Sequence, residues 1–202
     1  GGAERGWQRG SGGGAVVPLR LATPGDIPGL RDVIAESVRG LQRDDYTPEQ
    51  IEGALGTIYG TDRQMIEDGT FFVIEDGSRI VACGGWSRRR TAFGSDHSPV
   101  RDDSPLDPAH DAAKIRAFFV HPEYARRGLA TRILTECEKA AREAGFQRYE
   151  LTATLTGVPL YARHGYEEVE RLTFTLPTGE PYVAVKMRRG ASAPSNEEPS
   201  SF

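Results

Sequence analysis

Short apolar runs rich in β-branched and aromatic residues are separated by a few stretches in which apolar positions recur every three or four residues. That mixture predicts an α/β domain. Residues 16–21 read as a strand, after which Thr23, Pro24 and Asp26 supply a cap, a first-turn proline and an acid for the positive helix end. A helix is expected from there to Val38, and Thr47 to Gln50 (TPEQ) repeats the start signal for a second. Residues 71–75 and 79–86 read as two strands of a hairpin turned by Asp76-Gly77-Ser78. Residues 115–120 form another apolar run. Beyond it Ala130, Ile133, Leu134, Cys137, Ala141 and Ala144 recur at helical spacing until Gly145 ends the pattern. A strand at 149–154, a short helix at 158–164 and strands at 169–176 and 182–187 complete the order, with no internal repeat.

The 202 residues, 38% hydrophobic and 27% charged, suit one domain around one core. Its expected span is 15–190. The glycine-rich leader 1–14 and the tail 191–202 lack hydrophobic periodicity and are expected to stay outside the fold. Residues 88–113 form an unusually long polar connection, expected to be either a functional flap or disordered. A net charge of -4 gives no field to hold nucleic acid, so no nucleic-acid partner is expected. No run is apolar enough for a signal peptide or a bilayer span, which makes a cytoplasmic protein without membrane attachment the expectation. Cys83 and Cys137 are too few for a disulfide framework and read as core residues.

Chemistry concentrates in IRAFFVHPEYARRGLATRIL, residues 115–134, where a buried strand passes through a proline turn into a helix. That helix begins at Arg126, Arg127, Gly128, Leu129, Ala130 and Thr131. Its first N–H groups have no helical partners, its dipole is positive there, and Gly128 lets an anion approach the backbone. A pyrophosphate would suit it. Neither a Walker A loop nor a G-x-G-x-x-G fingerprint is present.

V-H-P-x-Y-x-x-R-G-x-A before an apolar-periodic helix resembles the acetyl-CoA signature of the GCN5-related N-acetyltransferases (GNAT), [Q/R]-x-x-G-x-[G/A]. Gly128 and Ala130 match, and Ala125 departs from the first position. PLYARHGYEEVE resembles the closing P-[F/L]-Y-x-x-x-G-[F/Y] element of the same family, with Tyr161, Gly165 and Tyr166 in its matching positions. The resemblance implies a largely antiparallel mixed sheet flanked by helices, with splayed central strands. It further implies that the main chain of Phe118, Phe119 and Val120 lies along the pantetheine arm, and that the amides of residues 126–131 hold the pyrophosphate. Acetyl-CoA is then the co-substrate, no metal is needed, and the acceptor is an amine of a small molecule or a peptide. A homodimer stays open.

The chemistry has to supply a neutral amine, stabilise a developing oxyanion and assist a leaving thiolate. By resemblance Tyr161 faces the coenzyme sulfur as an acid, against its reading as an amphipathic core residue. A backbone N–H of Phe119 or Val120 is the implied oxyanion donor. Lys114 stands where many family members carry a glutamate, so the base falls to Glu150, which reads equally well as a solvated strand-end carboxylate. The missing glutamate motivates an alternative, a catalytically impaired acyl-CoA-binding module. Arg88, Arg89 and Arg90 either meet a phosphate of the coenzyme or form a solvated edge. His97, His110, His121 and His164 have no metal-ligand spacing.

Overall fold

The computed structural model describes residues 17–98 and 101–190. The predicted leader and tail lie outside the described residues. Seven strands form one sheet: β1 (Leu19–Leu21), β2 (Phe71–Asp76), β3 (Arg79–Ser87), β4 (Ala113–Val120), β5 (Arg148–Thr154), β6 (Glu167–Thr175) and β7 (Pro181–Gly190). Their order is β1-β2-β3-β4-β5-β7-β6, and every neighbouring pair is antiparallel except β4 with β5. The expected mixed, largely antiparallel sheet is what forms.

Helices α1 (Ile27–Leu41) and α2 (Pro48–Ala54) pack on one core, in which Leu30, Val33, Ile34 and Val38 are buried. The longest apolar-periodic stretch becomes α4 (Leu129–Glu143), which buries Ile133, Leu134 and Cys137 in a second core shared with α5 (Val158–Arg163). Each helix hides its apolar stripe on the sheet, and this burial rather than propensity supplies most of its stability. Both predicted helix starts hold. Asp26 accepts from Thr23 N at 2.7 Å through a 3-10 turn at Pro24–Asp26, and Thr47 and Gln50 cap α2 reciprocally. Helix α4 ends where Gly145 takes φ 97°.

One short helix, α3 (Arg63–Glu67), was not expected from the pattern, because five residues are too few to show a period. Asp62 nucleates it, accepting from Met65 N at 3.0 Å.

The feature that makes a site is a fork. Strands β4 and β5 pair only at Ala113–Tyr149, Lys114–Glu150 and Ile115–Leu151, then part. On the other edge of β4 the register shifts between Cys83 and Gly85, Ala117 adopts φ 60°, and neither Ala117 nor Phe118 has a partner in the β3 or β5 register. An extra residue in one strand bends it and frees backbone groups. The bulge therefore turns the parting of two strands into an open cleft.

The long connection differs from the flap or disorder expected of it. Its described residues are strapped to the domain: Arg89 grips Asp68 at 2.8 and 2.9 Å, Thr91 and Asp102 exchange hydrogen bonds, and Ser95 Oγ donates to Gly56 O at 2.9 Å. The polar residues that made it look solvated are spent on these ties. Among the described residues no helix is long and apolar enough to cross a membrane.

Candidate active site

A cleft of about 790 Å³ opens where β4 and β5 part. Val120 lies four residues along β4 from Arg116, so at ~3.3 Å per residue the two are at most ~13 Å apart.

At the Val120 end the strand leads through the 3-10 turn Pro122–Tyr124 into α4. Arg126 has φ 62° and Gly128 φ 77°, so the chain coils back on itself just before the helix. None of the N–H groups of residues 126–131 has a hydrogen-bond partner among the described residues. This is a cradle of amides at a positive helix end, open to solvent and suited to a pyrophosphate. No Cβ at Gly128 would touch a neighbour, so its φ and the approach of an anion, rather than crowding, are what call for glycine there. Thr131 Oγ1 lies 3.0 Å from His164 Nε2, tying the cradle to the end of α5. Arg127 lies over the Tyr124 ring at 5.0 Å, and Tyr124 itself bonds Asp76. The sequence-predicted residues Phe118, Phe119, Val120, Arg126, Gly128, Leu129, Ala130 and Thr131 all line this one cleft. Arg127 borders it through Tyr124.

Tyr161 lines the cleft from α5, with its ring edge-on to Phe118 at 6.1 Å and to Tyr166 at 5.9 Å. Burial pushes its phenol well above the usual tyrosine value, with the Cys137 thiol adding to the shift. Its ring packs in the core, and its hydroxyl has no hydrogen-bond partner among the described residues.

Glu150 goes elsewhere. It sits on the closed side of the fork, 2.7 Å from Lys114 Nζ and 3.8 Å from Lys186 Nζ, and lines a separate cavity of about 310 Å³. The fork opens one residue later, so Leu151 and Thr152 reach the cleft and Glu150 does not. Its expected role as base does not fit this placement. The oxyanion donor is also displaced from expectation, since Val120 N donates to Ser37 Oγ at 3.2 Å. Phe119 is paired with Cys83, while Phe118 lies in the unpaired bulge.

Arg88, Arg89 and Arg90 are absent from the cleft lining. Arg88 lies over Trp86, Arg89 holds Asp68, and Arg90 lines the smaller cavity. The histidines diverge: His110 pairs with Asp107, His121 with Glu36, and His164 with Thr131. Both cysteines are buried as expected, and burial pushes the Cys83 thiol up to about 12.

Sequence reasoning missed the other end of the cleft. Gln42 from the end of α1, Tyr59 from the link between α2 and α3, Phe93 from the long connection, Phe174 from β6 and Tyr182 from β7 meet there. Phe93 and Phe174 rings lie 4.4 Å apart, and Tyr182 stacks on Tyr46 at 4.8 Å. No local motif marks them, because each element contributes one or two residues.

A sequence profile described as the Acetyltransferase (GNAT) family matches residues 35–166. The chain belongs to the GNAT acetyltransferase family. Its GNAT profile span runs from within α1 to Tyr166, and so contains the fork, the cradle and Tyr161. Among curated proteins none matches the sequence. Solved structures share the fold at low identity. A GCN5-related N-acetyltransferase from Rhodopseudomonas palustris is 21% identical with TM-score 0.64, covering 87% of this chain and 96% of its own. The PaiA N-acetyltransferase from Thermoplasma acidophilum, solved in complex with coenzyme A, is 14% identical with TM-score 0.58, covering 87% and 99%. A ribosomal-protein-alanine N-acetyltransferase from Brucella melitensis is 16% identical with TM-score 0.57, covering 87% and 100%.

Proposed function

We propose that this GNAT protein transfers the acetyl group of acetyl-CoA directly to a primary amine while both are bound in the cleft. The observation that carries the reading is the unpartnered run of amides at residues 126–131 at the head of α4, beside a fork whose bulge leaves Phe118 unpaired. The coenzyme supplies an activated acyl thioester. The cradle amides bind its pyrophosphate, with Arg126 adding charge, and the parted strand β4 receives the pantetheine arm as an extra strand would be received. The N–H of Phe118 takes the oxyanion role, replacing the Val120 amide that Ser37 occupies. Donors fixed before reaction are worth about 2.7 to 4 kcal/mol in comparable sites.

The amine nitrogen bonds to the acetyl carbon, the carbon–sulfur bond breaks, the sulfur gains a proton and the new amide loses one to solvent. Tyr161 O–H stands at the sulfur end of this exchange as a hydrogen-bond donor. Glu150 takes no part, since Lys114 and Lys186 neutralise it on the closed side of the fork.

Gly128→Asp tests the reading. An aspartate there strains a backbone at φ 77° and places a negative charge in the cradle, so acetyl-CoA affinity measured by calorimetry should fall at least tenfold. Unchanged affinity would sink the assignment. Thiol release across an amine panel then separates an enzyme from a binding module of the same fold, which would bind acetyl-CoA and release no thiol when amines are added.

A further inference from the structure

Gln42 caps the end of α1, is only 6% exposed, and lines the cleft beside Tyr59. Its Oε1 accepts from Tyr59 Oη at 2.6 Å, and Tyr59 Oη is itself bonded to Tyr182 Oη. A phenol has one proton to give. With Tyr59 donating to Gln42, Tyr182 donates to Tyr59. In this arrangement the carboxamide oxygen is committed to the protein and its N–H₂ is left over. That amino group has no hydrogen-bond partner among the described residues. It keeps contact with the open cleft, where an acceptor atom of a ligand can meet it.

The surroundings narrow what that ligand is. Phe93 and Phe174 form an aromatic wall beside Tyr182. The guanidinium of Arg116, which also lines the cleft, has Nη1 on Asp62 at 2.8 Å and Nη2 on Gly94 O at 2.6 Å, so both terminal nitrogens are held by the fold and only its buried Nε has no partner among the described residues. We propose that Gln42 donates to a carbonyl oxygen of the acceptor, which makes the acetylated group an α-amine of an aminoacyl unit, such as an amino-acid amide or a peptide N-terminus, with an apolar side chain against Phe93 and Phe174. This rests on the acetyl-transfer reading above.

The acid–base chemistry of the cleft agrees. Tyr59, Tyr161 and Tyr182 are each pushed upward by burial, and Tyr124 by its bond to Asp76, so these phenols stay neutral through the working range and none accepts the amine's proton. Arg116, Arg126 and Arg163 are donors only. An acceptor that arrives already neutral is therefore favoured. At pH 7 roughly one α-amine in ten is neutral, against roughly one lysine-like amine in 2,500.

The test compares L-phenylalaninamide with phenethylamine in a thiol-release assay, with kcat/KM expressed per neutral amine so that basicity is removed from the comparison. Both carry the aromatic body and only the first carries the carbonyl. The expected preference for the amide is roughly 10- to 100-fold. Gln42→Leu and the isosteric Gln42→Glu should each bring that ratio close to one while acetyl-CoA affinity is retained. A wild-type ratio near one overturns the proposal, and so does a variant that slows both acceptors equally with the ratio intact, which is what a purely structural Gln42 would do. Turnover of phenethylamine alone leaves acetyl transfer standing and removes the aminoacyl acceptor. Turnover of neither, with coenzyme binding intact, also removes it.

Discussion

Tyr161 combines a packed ring with a hydroxyl that the fold leaves uncommitted. Its ring is shared between Phe118 and Tyr166, and its hydroxyl faces the cleft without a partner among the described residues. A thiol of pKa near 8.5 is a stronger acid than an ordinary phenol near 10, and burial raises this phenol further. Complete proton transfer to a free thiolate is thus uphill by more than the ~2 kcal/mol an unperturbed tyrosine would face. In the proposed reaction its contribution is a shared hydrogen bond while the carbon–sulfur bond is breaking. Tyr161→Phe should therefore lower kcat by about 10², the low end of general acid assistance, with acetyl-CoA affinity and Tm nearly unchanged. A parallel loss of Tm would show that the hydroxyl serves the fold. Tyr161 was legible because its neighbours in sequence form a motif. Gln42 was not, since its meaning comes from Tyr59 and Tyr182, seventeen and more residues away in the chain. Glu150 misled for a related reason: strand alternation places it on the face of Thr152, but only the pairing with Lys114 shows that it lies where the fork is still closed.

Elements were read best where their signals are local. The capping box at Thr47, the stripe of α4 and the two-residue hairpin turn all sit within a few residues of what they control. The bulge at Ala117 has no such signal, because it is a register mismatch between two strands about thirty residues apart in sequence. At the start of α1 the capping residue Asp26 is also a tertiary tie. Arg20 of β1 donates to it at 2.7 and 2.8 Å and bonds Glu75 of β2 as well. The hydrogen bond from Arg20 leads the causes that hold the Asp26 carboxyl down at about 2, and the Thr23 amide adds to it. The folded value lies below the unfolded one near 3.9, so the contribution to stability is complete above pH 4 and disappears as pH falls toward 2. Asp26→Asn should consequently lower Tm at pH 7, and the gap between variant and wild type should shrink across that acid window. A gap that stays constant from pH 7 to pH 2.5 would mean the carboxylate's charge is not what ties β1 to α1.

At the scale of the whole molecule, Asp62 joins parts that the sequence gives no reason to connect. It caps α3 through Met65 N, pairs with the buried Arg116 of β4 at 2.8 Å, and holds Arg101 of the long connection at 3.1 Å. Arg116 in turn fixes Gly94 O, next to Phe93 in the cleft wall. The long connection thus reads as a third side of the cleft, to whose ties this buried carboxylate adds one. Burial lowers the Arg116 pKa, which is the sign that its charge depends on Asp62 for compensation. Removing one partner of such a pair leaves an unpaired buried charge, at a typical cost of about 3 to 5 kcal/mol, whereas replacing both with apolar residues is often close to neutral. Asp62→Asn keeps the shape and an oxygen for the α3 cap, so its urea unfolding midpoint should fall by an amount set mainly by stranding Arg116. The double variant Asp62→Leu with Arg116→Met should recover part of that loss even though it deletes the cap. Its acceptor KM should still rise while acetyl-CoA affinity holds, because Gly94 and Phe93 lose their anchor at the acceptor end and the cradle at residues 126–131 is untouched. An unfolding free energy for Asp62→Asn within about 0.5 kcal/mol of wild type would deny the pair its structural role. A double variant with normal acceptor KM would separate the network from the shape of the cleft.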